Sequence, residues 1–143
     1  MKKIVDEKQA WEIFEACPYY TISLIDEQNK PYAYMTSLVN IDGYLYAHGS
    51  LQGKKIDCMK YQSNVFISGC SELTYDEVKT TANYQSIHIE GEIEIVEDIK
   101  EKQKVLSKII ERYAKMKMEV KQVAHVGIYK IKVKSIRGKV KDD

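Results

Sequence analysis

The chain has 143 residues, 44% hydrophobic and 30% charged, which predicts one globular domain spanning 1–143 and argues against global disorder. A formal net charge of +1 argues against a nucleic-acid partner held by bulk electrostatics. No stretch approaches the roughly 20 apolar residues that cross a bilayer, so no membrane role is expected.

Read in chain order, Ala10, Ile13, Phe14 and Cys17 recur at helical spacing from about residue 6, and Pro18 ends that helix. Tyr19 to Ile25 reads as a strand, Asp26 to Lys30 as a turn, and Pro31 to Val39 as a second strand that tolerates Pro31 at its first residue. Asp42-Gly43 is a hairpin signal leading into a third strand, Tyr44–His48. A short helix with Ile56 and Met59 on one side follows, then a strand through Val65, Ile67 and Gly69. Residues 71–83 are polar and show no period. Ile87, Ile89, Ile93 and Ile95 alternate with Ser86, His88, Glu90, Glu92 and Glu94, giving one core face and one polar face. Asp98 and Glu101 have capping-box spacing before a helix to about Ala114, whose buried stripe is Val105, Leu106, Ile109, Ile110 and Tyr113. The last strand sets Tyr129, Ile131 and Val133 against Lys130, Lys132 and Lys134. Six candidate strands and few helices predict an α+β, mainly β architecture: an antiparallel sheet or barrel with helices packed outside, six strands being enough to close a small barrel.

The cysteines Cys17, Cys58 and Cys70 form no C-x-x-C pair, so neither a disulfide framework nor a zinc site is expected. Cys58 and Cys70 read as small core residues. The histidines His48, His88 and His125 have no metal spacing. An N-terminus that turns acidic without an apolar signal core predicts a cytoplasmic protein.

The segment from Gly49 to Lys55 carries the chemistry. Lys54 and Lys55 fall at the expected start of the short helix, where the backbone already has positive partial charge and unpaired N–H groups. A bound phosphate would resolve that conflict. Gly49 and Gly53 would let the backbone approach, Ser50 would donate, and the lysines would neutralise it. A solvated lysine pair is the alternative from these residues alone. The spacing is not that of a Walker loop, because Lys55 follows Lys54 where Ser or Thr is needed.

The run Leu45–Lys55 (LYAHGSLQGKK) resembles the phosphate-gripping strand, loop and helix of the pyridoxamine phosphate oxidase superfamily. Tyr84–Gly91 (YQSIHIEG) is similar to that family's later strand ending in Glu-Gly. His48-Gly49-Ser50 ahead of Gly53 and Lys55 looks most like its nitroimidazole-resistance branch. The resemblance runs from Tyr19 onward. It implies a split β-barrel that binds FMN in a cleft between the subunits of a homodimer and acts on a small molecule. By position it implies Ser50, Lys54 and Lys55 at the phosphate and the backbone of Met35, Thr36 and Ser37 beside the flavin ring. Ala47 and His48 would lie near the ribityl chain or ring, with Tyr84 and Ser86 approaching from the strand before Gly91, of the same or of the partner subunit. Gly138 and Lys139 are weaker candidates. The Arg-Leu-x-Pro segment of the true oxidase is missing, which speaks against pyridoxamine phosphate as substrate. Relatives often carry a proline near the place of Met35.

The implied activity is that of an FMN-dependent oxidoreductase, a flavin reductase or nitroreductase. The alternative is a non-catalytic split-barrel module that holds flavin or haem, with His48 as the residue of interest for haem.

Overall fold

Asp6 starts the first helix, its carboxylate accepting the Gln9 N–H at 2.8 Å, and the helix α1 runs Glu7–Ala16 with Cys17 as its C-cap. The computed structural model describes residues 1–118 and 120–142. Strands β1 (Lys2–Ile4), β2 (Tyr20–Ile25), β3 (Pro31–Thr36), β4 (Val39–Ile41) and β5 (Tyr44–Gly49) form the first half with α1. Helix α2 (Lys54–Tyr61), β6 (Asn64–Asp76), β7 (Thr81–Val96), α3 (Ile99–Ala114) and β8 (Gly127–Lys141) complete it.

All strand pairs are antiparallel, in the order β3-β2-β6-β7-β8-β5-β4, with β1 added to β8. The sheet curls into a split barrel. Its inner face carries the main core, where Ile22, Ile67 and Ile89 lie in one register row and Leu45, Ala47, Tyr129 and Ile131 in the neighbouring strands. Helix α1 buries Ile13 and Phe14 in the same core. Helix α3 packs outside, its Val105 and Ile109 meeting Val39, Tyr46, Val96 and Ile128. The α+β split-barrel expectation is met, and the helix from Asp98 has the expected bounds.

Five readings are corrected or extended. The strand expected over Pro31–Val39 is two strands, because the chain turns at Ser37–Leu38 to bury Leu38 completely. The unassigned stretch 71–83 is the outer part of a long β6–β7 hairpin. Its exposed residues show no period, but Leu73, Thr74 and Tyr75 pair with Tyr84, Asn83 and Ala82. Asp76 closes its turn by accepting the N–H groups of Val78 and Lys79, both at 3.0 Å. The last strand continues to Lys141 because its polar end is paired with β7 and β1 on its two sides. Cys70 is exposed, whereas Cys17 and Cys58 are buried. The capping box is half formed: Asp98 accepts the Glu101 N–H at 2.8 Å, but the Glu101 carboxylate turns to Tyr46 (2.8 Å) and Lys130 (3.3 Å), tying α3 to the barrel wall.

Candidate functional site

The sheet path ends at β3 on one side and, beyond β5, at the short β4 on the other, and the contacts of Lys55 with Tyr34 and Tyr129 place the start of α2 across the opening between these ends. Strand β3 is the last strand of the sheet, so alternate backbone groups along one edge have no ladder partner. The β4–β5 ladder stops at Val39–Tyr46, so Ala47, His48 and Gly49 are paired only with β8. Between these two unpaired edges stands the N-terminus of α2. Its N-cap is Gly53, at φ 127°, a backbone region open to glycine, with no side chain capping the free N–H groups.

Lys55 sits at the centre of this opening. Its ammonium lies 4.8 Å from the ring centroid of Tyr34 on β3 and 5.9 Å from that of Tyr129 on β8. It has no carboxylate partner among the described residues. The Tyr34 hydroxyl is buried and has no hydrogen-bond partner among the described residues. The Tyr129 hydroxyl donates to the Ser50 carbonyl, and the Ser50 hydroxyl donates to Gln52 O at 2.9 Å, which shapes the loop. Glycines on both sides leave room for this contact, and of the two only at Gly127 is the obstacle to a side chain backbone. A Cβ at Gly49 would stand 2.8 Å from the Tyr129 hydroxyl and 2.9 Å from Lys55 Nζ, and one at Gly127 would strike the Ser50 carbonyl. A cation without a carboxylate partner, a buried hydroxyl without a hydrogen-bond partner and a helix N-terminus without a side-chain cap, all among the described residues, therefore occur together at the start of α2, a combination suited to an anion.

The other candidates fall in five places. Lys54 points away from Lys55: it is 58% exposed, pairs with Asp26 at 3.7 Å and lies over Tyr32. Met35, Thr36 and Ser37 lie at and just past the end of β3, with the Thr36 side chain on the inner row and Met35 59% exposed on the outer face. Ala47 has its side chain buried in the core opposite Tyr129, so only its backbone can meet a ligand, while His48 projects from the outer face. Tyr84 and Ser86 are not brought to the loop. They share the outer face of the sheet with Met35, and β6 and β2 lie between β7 and β3, a separation of roughly 14 Å. Ser86 is 3.3 Å from His88 Nε2, and both line a cavity of about 450 Å³ with Thr21, Ser68 and Cys70. Gly138 packs against Ala10 and Val5, far from the loop, and Lys139 stands opposite Ser86.

Tyr34, Tyr129 and Gly127 were missed as site residues in the sequence. Tyr34 and Tyr129 sit in ordinary alternating strand patterns, and Gly127 opens a strand. Their meeting at Lys55 depends on strand order, which no local pattern records.

The imidazole of His48 is held below its ordinary pKa of 6.5, first by partial burial and then by the Lys55 cation. His88 is lowered for the same first reason, then by Lys139 and Arg137. In the window below 6.5 the unfolded chain binds more protons at these sites than the folded one. Stability is therefore fully present above about pH 7 and falls as the pH drops through that window. Urea unfolding at about pH 7.5 and pH 5.5 should show this loss, and the double variant His48→Gln, His88→Gln should flatten it. An unchanged pH slope in the double variant would refute the assignment.

These features define a class: an antiparallel split barrel with a glycine- and lysine-bearing loop leading into its second helix. The family model of pyridoxamine 5'-phosphate oxidase matches residues 6–140, and the chain belongs to that family. No curated protein matches it. Among solved structures, a candidate 5-nitroimidazole antibiotic resistance protein of Bacteroides thetaiotaomicron VPI-5482 is similar with a TM-score of 0.87 at 22% identity, covering 98% of this chain and 87% of that one. An FAD and haem binding protein of Mycobacterium smegmatis gives 0.79 at 14% identity over 99% of this chain and 74% of its own. An FAD-binding protein of Mesorhizobium loti gives 0.75 at 14% identity over 99% of each chain. At these identities the likeness establishes a shared fold. No helix among the described residues is long and apolar enough to cross a membrane.

Proposed function

We propose that the protein binds FMN in the opening between β3 and the β5–α2 loop and works as an FMN-dependent oxidoreductase on a small molecule. The observation that carries this reading is the Lys55 ammonium lying over Tyr34: among the described residues the ammonium has no carboxylate partner and the buried Tyr34 hydroxyl no hydrogen-bond partner. Lys55 and Tyr34 would hold the phosphate with the free N–H groups of α2, the Ser50 hydroxyl would have to turn from Gln52 O to donate to it, and Lys54 would add a more distant charge. The unpaired edge of Met35–Ser37 would take the polar rim of the ring system. The single anion loop favours FMN over a dinucleotide. When bound, the flavin supplies hydride and electron transfer, while the chain supplies binding and orientation.

A second copy of the chain completes the reading. The outer face of β3, β2, β6 and β7 carries exposed Met35, Phe66, Leu73 and Tyr75, in contrast to the part covered by α3. A homodimer formed on this face would cover it and let Tyr84 and Ser86 approach the cofactor cleft of the partner.

The test is the visible spectrum of the purified protein, followed by titration with FMN and FAD and light scattering to measure mass. Bands near about 370 and 450 nm, with FMN released on denaturation, are expected from a dimer. A colourless protein that binds neither flavin would overturn the reading. Turnover of quinones or nitroaromatics with NADH or NADPH then tests catalysis. A second reading, a non-catalytic module that holds haem, draws on the neutral, exposed imidazole of His48 and would be marked by a Soret band.

A further inference from the structure

We propose that Arg112 and Tyr113, at the end of α3, are positioning residues that hold the backbone of Met35–Ser37 in its flavin-accepting form; this rests on the FMN reading above. Both side chains converge on one peptide, that of Leu38, the residue immediately after the segment. The Tyr113 hydroxyl donates to the Leu38 carbonyl at 2.7 Å and accepts the Leu38 N–H at 3.1 Å, so it takes both backbone groups as a neighbouring strand would. Arg112 Nη1 donates to the same carbonyl.

The rest of the guanidinium is committed elsewhere. Nη2 donates to the Glu15 carbonyl at 3.0 Å, the Cys17 carbonyl at 3.4 Å and the Tyr20 hydroxyl at 3.0 Å. The plane lies 4.8 Å from the Tyr113 ring centroid. The Glu15 and Cys17 carbonyls belong to the end of α1, where orphan carbonyls carry negative partial charge, so a cation is favoured there. Arg112 makes no ion pair among the described residues. It therefore ties the Leu38 peptide to α1 and to α3 at once.

The tie has a specific consequence. By turning Leu38 into the core it stops β3 at Thr36 and starts β4 at Val39, which fixes the course of the chain between them. A segment already fixed in its binding geometry costs less ordering when a ligand docks on it.

The test uses the full chain and FMN. Tyr113→Phe keeps the ring and removes both hydrogen bonds to Leu38. Its expected effect is about a 10-fold loss of FMN affinity, with a changed visible band shape and a shifted reduction potential of the bound flavin. Arg112→Lys keeps the charge but cannot reach all its carbonyls, and a similar loss is expected. Tyr46→Phe is the control: it breaks the Tyr46–Glu101 bond that ties the other end of α3 to the barrel, and flavin affinity and spectrum should stay unchanged. Circular dichroism and melting curves establish that each variant is folded. If wild type binds FMN and the Tyr113 and Arg112 variants match it in affinity, spectrum and potential, the inference fails and the FMN reading stands. The same holds if their losses equal that of Tyr46→Phe. If wild type binds no FMN, both fall.

Discussion

Lys55→Ala is expected to weaken FMN binding by about 10- to 100-fold while leaving the protein folded. A charge-assisted bond from an ammonium to a phosphate is worth about 1.5–3 kcal/mol, and none of the described residues has a cation placed to replace it: Lys54 is turned to Asp26 and Tyr32. Lys54→Ala should therefore cost much less, within about threefold, as an exposed, screened charge does. The effect on the unliganded fold is small because two terms oppose each other. Removing a cation from a helix N-terminus gains about 0.3–1 kcal/mol, and losing its place over Tyr34 costs about 0.5–1 kcal/mol. Fluorescence titration at low and high salt, alongside thermal melts, reads both quantities. Equal affinity for wild type and Lys55→Ala would remove the lysine from the site.

Gly127→Ala is expected to destabilise the protein by about 1–3 kcal/mol and to weaken FMN binding as well. The new methyl would strike the Ser50 carbonyl and stand 2.9 Å from the Tyr129 hydroxyl, so it would break the bond that shapes the loop. The obstacle on one side is backbone, which cannot swing aside as a flexible side-chain end can. Gly43→Ala is the comparison. Gly43 has open space around it but φ of 89°, so its cost is turn strain far from the loop, and FMN affinity should be retained. Urea unfolding and FMN titration of the two variants separate the effects. A Gly127→Ala protein with wild-type affinity would mean that the Ser50 loop does not hold the ligand.

How much was legible beforehand differs by element. The helix from Asp98 and the strand with alternating isoleucines could be read because each buries one face, and burial imposes a period. The outer hairpin could not, since Leu73, Thr74 and Tyr75 are all exposed and their strand form comes from backbone pairing. The break at Leu38 could not be read either, because its cause lies 75 residues away in Tyr113.

Local pattern and residue type were enough for antiparallel strands with helices outside them, and for a glycine and lysine loop with a chemical bias toward an anion. It took the folded arrangement to show which lysine lies over Tyr34 and Tyr129 and that Tyr84 and Ser86 stand apart from it. Those facts are set by strand order and register, which bring together residues separated by most of the chain, and no local period encodes such meetings.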